Sequence, residues 1–96
     1  MRIAKVIGTV TLNRSHPSLV GGHLKVAVPL SLANLAGDRP AAADPIVVYD
    51  ELGAGIGSRI MFSEGREASQ PFHPNVKPID AYNSGILDAV QIQIEE

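Results

Sequence analysis

The sequence contains no cysteine and no tryptophan. Without thiols there is neither a disulfide framework nor a thiolate metal site, and a reducing cytoplasm is the simplest home. Charge is scarce too: 19% of residues are Asp, Glu, Lys or Arg, against about 25% in ordinary soluble domains. The basic residues are not clustered and the net charge is −2, so a nucleic-acid partner is not expected, because non-specific affinity for phosphates comes from massed Lys and Arg. Long apolar runs are missing as well. None approaches the ~20 residues that span a bilayer, and the opening segment is interrupted by Lys5, Thr9 and Thr11 with no small-residue cleavage site after it, so neither a membrane role nor a secretory signal is read.

Chemistry-bearing motifs are equally sparse. No Walker loop or Gly-x-Ser-x-Gly elbow occurs, and His16, His23 and His73 fall outside the HxH and HExxH spacings that gather metal ligands. The carboxylates are scattered, with no two placed to serve as acid and base. No catalytic residue, metal or cofactor is therefore assigned, and the chain is read as a non-enzyme.

What is present is β-forming sequence. At 96 residues there is room for one domain, 1–96, which hides only about two-thirds of the surface of its unfolded chain. With so few charges, apolar surface is left over, and self-association is the common way to cover it. In the opening segment Ala4, Val6, Gly8, Val10 and Leu12 alternate with Lys5, Thr9 and Thr11, the period of a half-buried strand. Ile3 and Ile7 sit on the outer side; either they meet another subunit or strand twist buries both faces in places. After a connection from Asn13 to Gly22, a second strand sets Leu24, Val26, Val28, Leu30 and Leu32 against His23, Lys25, Pro29 and Ser31. Pro29, lacking an N–H, places this strand at an edge or breaks its ladder. A loop over Ala33 to Pro45 leads to a third strand, Ile46 to Tyr49, whose unbroken apolar run suits a buried central position. A fourth alternates Ile60 and Phe62 with Arg59, Met61 and Ser63, and a single helical turn is expected around Arg66 to Ser69, since Pro71, Pro74 and Pro78 forbid a long helix. The last strand is expected from Gly85 to Glu95, with Val90, Ile92 and Ile94 inward. Five strands with long loops and at most one short helical turn predict an all-β fold, a small five-stranded OB-like barrel.

Gly53-Ala54-Gly55-Ile56-Gly57 is the most conspicuous local feature. A dinucleotide fingerprint needs a third glycine at position 58 and a following helix; Ser58 stands there and a strand follows, so a tight turn or close backbone approach is the better reading. Asp50, just before it, is suited to accept hydrogen bonds from the turn's N–H groups. An OB-like barrel also raises a binding module for single-stranded nucleic acid or a small ligand as the alternative function, but Tyr49, Phe62, Phe72 and Tyr82 have no basic residues interleaved among them.

Several segments together resemble a known family. Met1 to Val10, the pattern Leu19, Gly21, Leu24 and Val26, the turn Asp50-Glu51-Leu52-Gly53-Ala54-Gly55-Ile56-Gly57, Ser63-Glu64-Gly65, Pro78 to Ala81 and Gly85 to Asp88 are similar, in order, to the vertex proteins of bacterial microcompartments, the carboxysome and ethanolamine-utilisation group. Tyr49 departs from that pattern, where a small aliphatic is common, as does Gly65-Arg66-Glu67-Ala68-Ser69. The resemblance implies a barrel that assembles as a homopentamer, caps the fivefold vertices of a cytoplasmic protein shell and abuts hexameric shell proteins, with no cofactor. Ile3, Ile7, Asp50, Gly53, Ala54, Gly55 and Gly57 are the residues expected near subunit contacts or the ring axis.

Overall fold

The structure, a computed structural model, describes residues 1–12, 15–37, 40–75 and 77–93. In chain order its elements are β1 (Arg2–Val10), a 3-10 turn (Pro17–Leu19), β2 (His23–Pro29), α1 (Leu32–Leu35), β3 (Ile46–Asp50), β4 (Arg59–Glu64), α2 (Arg66–Ser69), a 3-10 turn (Gln70–Phe72) and β5 (Ala81–Leu87). The strands close into a barrel in the order β1-β2-β3-β5-β4, with β3 and β5 parallel and the other neighbours antiparallel. The all-β barrel expected from the alternation is thus observed, with the turn at Arg66–Ser69. To it the structure adds α1, a single turn capped reciprocally: Ser31 Oγ accepts from Asn34 N at 3.2 Å and Asn34 Oδ1 from Ser31 N at 2.9 Å.

The core is thin, as the size required. Ala4, Val6, Ala27, Val48, Ala54, Ile60, Phe62 and Ala81 form it, with Ile46 packed against it. Half of these are alanines, which lets five short strands approach closely around Phe62 and Ile60. The expected faces of the third and fourth strands hold for Ile60 and Phe62, but β3 is not buried throughout: Val47 is 49% exposed, while Val48, Tyr49 and Asp50 are covered.

Two strand faces differ from the simple alternation. In β2 the core side is Ala27 and Pro29, both buried, whereas Leu24, Val26 and Val28 point outward and stay half-buried. The barrel interior has room only for small side chains there, so the larger aliphatics are turned out. In β1 the ladder slips between Val6 and Gly8. Ala4 and Val6 oppose the inward Pro29 and Ala27, but beyond the bulge Gly8 and Val10 oppose the outward Val26 and Leu24. One extra residue reverses side-chain parity, so Val10 does not share the face of Ala4 and Val6. Pro29 is the last residue of β2, paired with Ala4 of β1 but beyond Ala27, where the β2–β3 ladder ends, so it stands where that ladder breaks, as expected of a residue without an N–H; on the β1 side Leu30 N resumes bonding to Ile3 O at 2.9 Å.

The last strand also differs. It runs over Ala81–Leu87, earlier than expected, and turns Ala81 and Asn83 inward. Val90 and Ile92 follow it outside any strand, Ile92 being 36% exposed. Their alternation lacks a neighbouring strand, because β4, the partner of β5, begins at Arg59 opposite Leu87. Asn13, Ile94 and Glu95 of the expected elements lie outside the described residues.

Candidate functional site

The glycine-rich turn is built on Asp50. This residue ends β3 on its inward face with no side-chain exposure, and its carboxylate accepts from Leu52 N at 2.9 Å, from Ala54 N at 2.8 Å and from Asn83 Nδ2 on β5 at 2.9 Å. Burial by itself would raise its pKa; the Asn83 amide, the two backbone N–H groups and the charge of Lys25 outweigh that and hold it below the ordinary carboxylate value. The turn thereby folds back over the barrel end and seats Ala54 in the core. Its far side is stitched to β1, since Gly57 N donates to Val6 O at 2.8 Å and Val6 N to Ser58 O at 2.9 Å.

A tight turn was expected here, and two of its glycines, Gly53 (φ 80°) and Gly57 (φ 93°), have left-handed backbone. Gly55 does not, and a Cβ there would find nothing nearer than Ser58 Oγ at 4.0 Å; the conformational demand falls on its neighbours, where the chain reverses into and out of the Asp50 brace. Leu52 and Ile56, at the surface of the turn, are 51% and 74% exposed.

Ile3 is half-buried opposite Met61 of β4, and Ile7, at the β1 bulge, is 47% exposed. Both point away from the core on the β1–β4 side. A second outward apolar surface lies on β2 and β3, where Val10, Leu24, Val26 and Val47 share one face by register. It continues into a groove of about 460 Å³ lined in part by Leu12, Leu19, Leu24, Val47, Pro78 and Ile79.

Around Tyr49 the outer face of the barrel is already covered. Tyr49 points out from β3 yet is 1% exposed, because Phe72 and Tyr82 pack on it with ring centroids at 5.9 and 6.5 Å. Lys77 Nζ lies 4.8 Å from the Tyr49 ring and 4.3 Å from the Phe72 ring, and donates to Ser18 O. This clasp ties the β1–β2 and β4–β5 connections to β3. Tyr49, the departure from the family pattern, fits because position 22 is glycine: a Cβ there would stand 2.3 Å from Tyr49 Cζ. Burial first, and then the hydrogen bond to Glu51 at 3.0 Å, raise the pKa of the Tyr82 phenol.

Sequence reading found Asp50 and the turn but missed Asn83, Lys77 and Tyr82. Asn83 and Asp50 meet only because β3 and β5 are neighbours, and nothing local marks the pairing. The histidines are not brought together: His16 bonds Ser18 Oγ at 2.7 Å, and among the described residues no group of three or more His, Cys, Asp or Glu is placed to hold a metal.

Comparison with known proteins identifies the family to which this barrel belongs. The family model described as ethanolamine utilisation protein EutN/carboxysome matches residues 1–88. The carboxysome shell vertex protein CcmL of Gloeobacter violaceus is 33% identical, with 96% of this chain and 87% of that protein covered. The bacterial microcompartment shell vertex protein PduN of Salmonella typhimurium is 31% identical over 94% of this chain and 98% of its own length. Among solved structures, the GrpN pentameric microcompartment shell protein from Rhodospirillum rubrum superposes with a TM-score of 0.78 at 33% identity, covering 97% of this chain and all of that one. This chain belongs to the family described as ethanolamine utilisation protein EutN/carboxysome.

Proposed function

We propose that the chain is a structural subunit of a bacterial microcompartment shell in the cytoplasm, and that five copies form a ring at each fivefold vertex. Flat sheets of hexagonal tiles close into a polyhedron only where fivefold positions interrupt them, and a wedge-shaped ring with apolar sides is sufficient for that task. No reacting group is required of it, so the role is non-catalytic, with hexameric shell proteins as its neighbours. This reading puts Ile3, Ile7 and the turn from Asp50 to Gly57 at subunit contacts or near the axis, with Gly53, Gly55 and Gly57 at the turn's surface and the buried Asp50 and Ala54 holding it in place.

The observation that carries the proposal is the pair of outward apolar faces on a barrel whose interior is already filled. Ile7, Val47 and Ile56 are each about half exposed or more, a cost in water that identical neighbours would remove. The nucleic-acid alternative finds no support of this kind. Tyr49, Phe72 and Tyr82 pack on one another and Phe62 lies in the core, so no ring stands free as a base platform. Native mass spectrometry tests the proposal: the expected particle is about 50 kDa, five chains of 10.1 kDa. A stable monomer at micromolar concentration, or a ring of another number, refutes it.

A further inference from the structure

Resting on the ring reading above, we propose that adjacent subunits are joined by a charge-matched contact in which Lys5 and Arg59 of one copy face Glu64 and Asp80 of the next. The first half of the contact is the outer side of β1 and β4. There Ile3 opposes Met61 and Lys5 opposes Arg59 directly across the ladder, with Ile7 further along β1. Two cations directly opposite on one sheet face repel and destabilise the isolated barrel. Lys5 and Arg59 are exposed, and among the described residues the single ion pair is Arg2 with Glu64, so neither cation forms one within the subunit's described residues.

The second half is the groove beside β3. Leu19, Leu24, Val47 and Ile79 form its apolar floor, with Glu64 and Asp80 among the residues that line it. Asp80 is exposed, and Glu64 keeps 46% of its side chain open despite its pairing with Arg2. The basic face thus has an apolar middle with two cations that form no ion pair, and the groove has an apolar floor with Asp80 and the Arg2-paired Glu64 at its edge.

That pattern selects the symmetry. A twofold contact would set the basic face against itself or the acidic groove against itself, leaving like charges opposed, whereas a head-to-tail contact pairs them. Head-to-tail contacts are the ones that generate rings; the apolar middles lie on different strands, Ile3 and Met61 on β1 and β4 and Leu24 and Val47 on β2 and β3, with Glu64 at the far end of β4 from Arg59, so one subunit can engage both neighbours at once. The apolar middles supply the burial; the charges fix register and exclude the wrong pairing.

Native mass spectrometry of charge-reversed variants of the full chain tests this. Lys5→Glu with Arg59→Glu is expected to abolish the pentamer peak, as is Glu64→Lys with Asp80→Lys. Combining all four reversals is expected to restore the ring, since opposite signs again meet. Circular dichroism establishes that each variant keeps the barrel. A folded Lys5→Glu/Arg59→Glu variant that still forms pentamers, or a folded quadruple variant that stays monomeric, overturns this pairing while the ring stands. A monomeric parent protein overturns the ring reading itself.

Discussion

Replacing Asp50 by Asn is a near-isosteric change with a large expected effect. The carboxylate serves three donors, Leu52 N, Ala54 N and the Asn83 amide, at 2.8–2.9 Å. An Asn amide offers one oxygen in place of two, so at least one donor faces an NH₂ group. Leaving a buried donor unpaired costs about 1–3 kcal/mol, and the surviving bonds lose their charge assistance. Relief of the burial penalty on the charged form offsets part of this. A net loss of about 2–3 kcal/mol remains, which for a domain of this size lowers Tm by roughly 10–20 °C. Thermal unfolding followed by circular dichroism reads it, at equal protein concentration because assembly raises apparent stability by mass action.

The pH dependence gives a second readout. The folded-state pKa of Asp50 is depressed, so its stabilisation is fully present above the unfolded value of about 3.9 and disappears as pH falls through the lower folded value. The gap in Tm between parent and Asp50→Asn should therefore narrow below about pH 4. A variant that melts within a few degrees of the parent at neutral pH, or a gap that stays constant into acid, refutes the brace.

The turn glycines give a sharper comparison. Gly57→Val forces a β-branched side chain to φ 93° and should cost at least about 1–2 kcal/mol, whereas Gly55→Ala, with open space at its Cβ, should stay within about 0.5 kcal/mol; equal melting temperatures for the two would refute the assignment. Gly22→Ala should destabilise by displacing the Tyr49 ring, and a double-mutant cycle with Tyr49→Leu should recover most of the loss. Strict additivity of the two changes would show that the ring is not what position 22 accommodates.

Most strands were legible because period-two alternation needs only local sequence. Ile60 and Phe62 against Arg59 and Met61 is such a case, and the Asp50–Gly57 turn was legible because Asp and Gly have turn-specific chemistry. Which face of a strand points inward was less so. Leu24, Val26 and Val28 carry the stronger apolar signal, yet Ala27 and Pro29 fill the core, because a barrel this narrow has space for the small residues only. An assembling protein also places large aliphatics outside, and alternation alone cannot distinguish an interface from a core. In β1 the bulge after Val6 reversed parity for the remainder of the strand, which no residue at that point announces. The tail shows the opposite failure: Val90 and Ile92 alternate like a strand, but among the described residues no strand pairs with them.

Sequence alone, then, determined the first four strands, the Asp50–Gly57 turn and the family, because these depend on neighbours along the chain. Only the tertiary structure decided the Asp50–Asn83 bond, the Lys77 clasp on Tyr49 and Phe72, and the opposition of Lys5 to Arg59. These depend on which strands lie side by side when the sheet closes, and closure is a property of the whole barrel.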